Sequence, residues 1–154
     1  MITIQETDFD AQAENQKLII PSQTGALVNF VGLVREFNHT SHRDETNKNN
    51  TFFLEHYPGM TERVLRDIEA SAHNQWDLQN TSIIHRVGYL KPSDQIVYIG
   101  VTSAHRKHAF AACEYMIDLL KTQAPFWKKE GNTWVEAKES DTAAANNWLN
   151  KATT

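Results

Sequence analysis

Two runs rich in β-branched and aromatic residues, 81–89 and 95–103, are separated by little more than Lys91-Pro-Ser-Asp94. Such runs suit a pleated, largely buried surface, and the Pro, Ser and Asp between them are turn chemistry. A hairpin is therefore expected. The other strand-like segments also come in twos: 25–35 with 51–57, and 126–130 with 133–137 around Gly131-Asn132, a two-residue turn signal. A short first strand is read from the alternation of Ile2 and Ile4, followed by a weaker helical stretch over about 8–19. Met60, Val64, Leu65, Ile68 and Ala72 fall at helical spacing after Pro58-Gly59 and predict a helix to about Trp76. Ser103 can cap a further helix with the apolar face Phe110, Cys113, Met116, Ile117 and Leu120, which Pro125 ends; a last helix is predicted over 141–149. The order βαββαββαββα gives an α+β single domain over residues 1–154, mostly antiparallel sheet with flanking helices. Residues 36–50 are almost wholly polar and lack either apolar period, so they read as a mobile loop near the site.

Composition narrows the function classes. A net charge of −4 disfavours a general nucleic-acid binder, which needs a basic surface to displace counterions from phosphates, so any anion site must be local. Cys113 is the sole cysteine, which excludes an intramolecular disulfide and a cysteine-rich metal site and favours a reducing compartment. The first residues carry no basic region with an apolar run, and no segment is long and apolar enough to span a bilayer. A cytoplasmic location without membrane contact is expected.

Cations cluster at element ends. Arg35 follows a strand, His105-Arg106 opens a helix, Lys121 closes it and Lys128 lies on the next strand. A cation at a helix N-terminus opposes the dipole, so His105-Arg106 makes more sense beside a bound anion such as phosphate. Arginine gives planar bidentate contacts to phosphate; lysine gives a point charge or, when burial or neighbouring cations lower its pKa, a base or nucleophile. Lys121 has the apolar Pro125-Phe-Trp127 corner and Lys128-Lys129 nearby. The plainer reading stays open: lysines near a helix C-terminus offset the dipole, and Arg35 and Arg106 can be ordinary surface cations. The pairs His39-x-x-His42 and His105-x-x-His108 lack a third ligand, so no metal site is expected. Cys113 belongs to the apolar helix face and reads as core. Tyr57, Phe126, Trp127 and Trp134 could stack on a flat heterocycle, but packing is the role expected for most of them. No glycine-rich phosphate loop or Ser-His-Asp signature is present, and no cofactor is called for.

Six strings go further: Phe30-Val-Gly-Leu-Val-Arg35, Leu54-Glu-His-Tyr-Pro-Gly-Met60, Ile84-His-Arg-Val-Gly88, Ser103-Ala-His-Arg106, Lys121-Thr-Gln-Ala-Pro-Phe-Trp-Lys-Lys129 and Trp134-Val-Glu-Ala137. Together, in this order, the chain closely resembles the large, catalytic subunit of molybdopterin synthase. The resemblance implies an α/β-hammerhead-type fold and a homodimer of large subunits. It also implies one small ubiquitin-like sulfur-carrier subunit docked on each, a heterotetramer. It implies a sulfurtransferase of molybdenum cofactor biosynthesis. The carrier's C-terminal Gly-Gly thiocarboxylate gives sulfur to cyclic pyranopterin monophosphate (precursor Z), and two carriers in turn yield the molybdopterin dithiolene. By the same resemblance Lys121 and Lys128 are catalytic, and Arg35, His105 and Arg106 bind the substrate's anion. Gln123 and Lys138 depart from the arginines frequent at those positions in the family, and the 36–50 loop is longer than usual.

Overall fold

The computed structural model describes residues 1–35, 52–130, 133–135 and 139–151. The polar 36–50 loop and Lys138 fall outside them. The elements are β1 (Ile2–Gln5), α1 (Ala11–Leu18), β2 (Ala26–Leu33), β3 (Phe52–His56), α2 (Met60–Gln75), β4 (Thr81–Arg86), β5 (Gly88–Leu90), β6 (Gln95–Ser103), α3 (Arg106–Gln123), β7 (Phe126–Glu130), β8 (Thr133–Val135) and α4 (Glu139–Lys151).

Two four-stranded sheets result, in the orders β1-β4-β6-β2 and β5-β3-β7-β8. All pairings are antiparallel except β1 with β4, which are parallel, so the α+β expectation holds. The expected hairpin forms between β4 and β6, with Thr81 opposite Val101 and His85 opposite Val97. Its first run does not continue to Tyr89, however. The chain leaves the first sheet after Arg86, and residues 88–90 pair with β3 in the second. Gly88 makes that change of sheet with φ +83°, a left-handed conformation that side chains with a Cβ rarely adopt. Residue types could not reveal the break, because β-branched and aromatic residues continue on both sides of it. At the Lys91–Asp94 turn the Asp94 N–H donates to the Lys91 carbonyl (3.0 Å), and the Asp94 carboxylate accepts the Lys91 N–H (3.0 Å).

The first sheet is covered on both faces. Ile83, Val97, Ile99 and Val101 meet α2 and α3 residues such as Leu65, Ile68, Ala112, Met116 and Leu120, while Ile84 and Tyr98 meet Phe9 and Leu18 around α1. This two-sided burial explains why β6 reads as a near-continuous apolar run and why β4 is buried along nearly its whole length, polar residues included. Each fully buried Leu or Ile contributes about 1.5–3 kcal/mol relative to exposure. A smaller cluster of Val34, Leu54, Val87 and Leu90, with Phe126 packed against it, joins the two sheets.

Two helix details differ from expectation. Phe110, placed on the apolar face of α3, is 62% exposed, and Ala109, Ala112, Tyr115 and Leu119 take up the buried face with the others. Ser103 is not the N-cap. His105 occupies that position without a side-chain cap, while the Ser103 hydroxyl accepts the His105 N–H (3.1 Å) and donates to the Asp77 carbonyl (2.7 Å). At the chain's close approach beneath this junction, a Cβ on Gly25 would lie 2.2 Å from the Ala104 carbonyl oxygen, so only glycine fits.

Candidate functional site

The corner between α3 and β7 carries two of the five predicted site residues. The Ala124 N–H donates to the Leu120 carbonyl (3.2 Å) and ends the helix; the Phe126 N–H donates back to the Ala124 carbonyl (2.9 Å), a tight γ-type turn centred on Pro125. Lys121 projects from the last helical turn and is exposed, so the burial expected to act on it is not found within this chain. Lys128 is half-buried on β7. It pairs with Leu54, and residues directly opposite one another share a sheet face, as do residues two apart on a strand. Lys128 therefore stands on the same face as buried Leu54 and as Phe126, the face toward the inter-sheet cluster. Arg35 is exposed immediately after Val34, a member of that cluster. Lys121, Lys128 and Arg35 thus border one end of the molecule.

His105 and Arg106 lie at the other end. Fifteen residues of α3 separate Arg106 from Lys121, about 22 Å at 1.5 Å per residue. Likewise Ala26 pairs with Ser103 at the far end of β2, about 30 Å of extended chain from Arg35. The five residues do not reach one small ligand within a single chain. The start of α3 nevertheless has the character of an anion site: no side-chain cap, no acidic residue in the first turn, and His105, Arg106 and Lys107 all exposed.

His85 and Thr61 carry geometry that residue patterns alone did not single out. His85 is 5% exposed, and its Nδ1–H donates to the Arg86 carbonyl (2.8 Å). Its ring stacks on Phe126 with centroids 3.8 Å apart and planes 18° apart. Burial, partly offset by that hydrogen bond and reinforced by nearby His56, pushes its pKa down to about 4, so the ring is neutral at physiological pH. Thr61 is fully buried; its hydroxyl donates to the Pro125 carbonyl (3.1 Å) and accepts the Tyr57 N–H (3.0 Å). The available signal was a lone histidine directly after Ile83-Ile84 in a strand-like run. Glu62 accepts the Gly59 N–H (2.6 Å) and lies 3.6 Å from His56; hydrogen bonds from its own and the Gly59 backbone N–H hold its carboxyl below the usual range against burial.

Cys113 is buried, and burial pushes its thiol up to about 12, in keeping with core rather than nucleophile. The His105 and His108 rings are 6.1 Å apart, and no three His, Cys, Asp or Glu among the described residues are grouped to hold a metal; His39 and His42 lie outside them. Of the aromatics, Phe126 packs inward as expected. Tyr57, Trp127 and Trp134 are 56%, 45% and 51% exposed, against the packing role expected for most of them. Trp134 has the Lys129 ammonium 5.7 Å from its ring centroid.

The fold and site define the class as an α+β protein of two small four-stranded sheets, with lysines flanking a helix–strand corner and a cationic helix start that has no side-chain cap. Residues 4–123 match the family described as MoaE protein, and the chain belongs to that family. It is 48% identical over 151 residues to the molybdopterin synthase catalytic subunit of Haemophilus influenzae, covering 96% of this chain and 97% of that one. Among solved structures it is similar to molybdopterin cofactor biosynthesis protein E from Burkholderia multivorans (TM-score 0.79, 43% identity, 96% of this chain and 95% of that one). It is also similar to molybdopterin synthase from Staphylococcus aureus (TM-score 0.75, 32% identity, 87% of this chain and 96% of that one).

Proposed function

We propose that this chain is the catalytic subunit of molybdopterin synthase, transferring sulfur from the C-terminal thiocarboxylate of a small carrier subunit to cyclic pyranopterin monophosphate. The observation that carries the reading is the pair of lysines held on either side of the Pro125 corner, Lys128 facing the inter-sheet cluster with Arg35 at its border. In each transfer a C–S bond forms at a side-chain carbon of the pterin as a C–O bond at that carbon breaks, the oxygen leaving with the opened phosphate or as water; water then cleaves the carrier's acyl C–S bond and supplies the oxygen that replaces sulfur. An ammonium beside the carrier's carbonyl stabilises the oxyanion that develops there, and a neutral lysine can move the proton as the cyclic phosphate opens. Lys121 and Lys128 fill these roles. Arg35 offers the substrate's phosphate a bidentate partner.

The separation along α3 gives His105 and Arg106 a place only if a second copy supplies them. A homodimer that sets one chain's α3 start against the other's Lys121–Lys128 corner assembles all five residues, and a carrier on each copy completes a heterotetramer. A single structural unit acting in the cytoplasm, with no cofactor and no nucleic-acid partner, fits the net charge of −4 and the lone buried cysteine. Among the described residues no helix is long and apolar enough to cross a membrane.

The test is reconstitution with thiocarboxylated carrier and cyclic pyranopterin monophosphate, following molybdopterin through the fluorescence of its oxidised product. Product is expected from the wild type and a loss of about a hundredfold or more from Lys121→Ala or Lys128→Ala. Carrier binding without product in the wild type would leave a scaffold instead of an enzyme.

A further inference from the structure

Thr61 and His85 converge on one feature. Thr61, at the start of α2, and His85, on β4 of the first sheet, reach the same dipeptide where the chain enters β7, Pro125-Phe126. The Thr61 hydroxyl holds the Pro125 carbonyl, which the γ-type turn itself does not use, and is itself held by the Tyr57 N–H. The His85 ring lies flat on Phe126, whose backbone pairs with His56. Both groups are buried, so neither contact competes with water: Thr61 is 0% and His85 5% exposed. Packing alone would be served by valine and phenylalanine at these positions. The polar choice at Thr61 fixes a backbone carbonyl, and the tautomer at His85, set by the Arg86 carbonyl, fixes the ring plane.

We propose that Thr61 and His85 are positioning residues for sulfur transfer. They clamp the Pro125–Phe126 corner and so set the spacing and direction of Lys121, four residues before it, and Lys128, two residues after it. The inference rests on the role of the two lysines proposed above. A helix end and a strand start joined by one tight turn would otherwise swing relative to each other, and displacement of a reacting group by about 1 Å can cost about a hundredfold in rate.

The experiment uses the full assembly with thiocarboxylated carrier and cyclic pyranopterin monophosphate in single turnover. Thr61→Val keeps shape and removes the donor; Thr61→Ser keeps the donor. The expected result is a rate lowered about ten- to a hundredfold in Thr61→Val, with carrier Kd and substrate KM changed by less than about threefold, and recovery to near wild type in Thr61→Ser. Because the effect runs through the lysines, Thr61→Val added to Lys121→Ala should lower the residual rate far less than it lowers the wild type. The second variant is His85→Phe, which keeps the stack on Phe126 but loses the Nδ1–H bond to Arg86: a rate lowered about ten- to a hundredfold is expected, a wild-type rate overturns the clamp, and this variant decides the matter if Thr61→Val does not fold. A wild-type rate in Thr61→Val, or equal losses with and without Lys121, overturns the clamp while leaving the lysine roles standing. Wild-type rates in both Lys121→Ala and Lys128→Ala overturn the lysine roles themselves.

Discussion

Lys128 and His85 show how neighbouring side chains at one site answer to different forces. Lys128 takes its orientation from strand alternation: with Leu54 opposite and Phe126 two residues before, it stands half-buried on the face toward the inter-sheet cluster. His85 is constrained by burial, which has a pH consequence of fixed sign. Its folded pKa of about 4 lies below the model-peptide value of 6.5, so between these values the unfolded chain binds more protons than the folded one. The stabilisation is therefore complete above pH 6.5 and lost as pH falls through 4, amounting at most to about 3 kcal/mol. Urea denaturation at pH 7.5 and at pH 5 should show this loss, and His85→Phe should flatten the profile over that window. An unchanged pH dependence in His85→Phe would assign the acid sensitivity elsewhere.

At the scale of elements, two residues decide how strands and helices dock. Gly88 carries the chain from the first sheet to the second at φ +83°, and Gly88→Ala should cost about 1–2 kcal/mol by forcing a Cβ into that conformation. Chemical denaturation reads this loss directly. On the opposite side, Trp148 anchors α4: its indole N–H donates to the Asp118 carboxylate (2.8 Å), and its ring meets Trp76 and Tyr115 edge to face at 5.9 and 5.7 Å. Trp148→Ala should destabilise the chain by about 2–4 kcal/mol, with protease cleavage appearing first around α4. Most elements were legible because their apolar spacing matched one period throughout. The failures have physical causes: Gly88 breaks a run whose pattern continues across it, and Phe110 sits at helical spacing with the core yet projects past its edge. The N-cap position expected of Ser103 is taken by His105, which makes no side-chain capping bond, while the serine hydroxyl is engaged with Asp77 and the His105 N–H.

For the whole molecule, the length of α3 governs function. It holds Arg106 and Lys121 about 22 Å apart, too far for one phosphorylated pterin, so the proposed site spans two copies. Mixing Arg106→Ala with Lys121→Ala tests this. Neither variant alone should turn over, but exchanged dimers contain one site with both residues intact, and activity should return to roughly a quarter of the wild-type level. No recovery, with exchange confirmed by native mass spectrometry, would mean that Arg106 and Lys121 do not serve one ligand. A site confined to one chain would give the same result, but the rigid helix does not permit it.

Residue types and local periods determined the α+β class, the positions of the helices and most strands, and Cys113 as core, because these follow from chemistry and spacing along the chain; they offered Arg35, His105, Arg106, Lys121 and Lys128 as candidates, and the resemblance of whole strings to a known family set these apart from ordinary surface cations. Only the tertiary structure decided the split into two sheets, the inward face of Lys128, the separation of the cations into two groups and the contacts of Thr61 and His85 with the Pro125 corner. Those depend on residues far apart in sequence meeting in space: Thr61 and Pro125 are 64 positions apart. No local pattern records such a meeting.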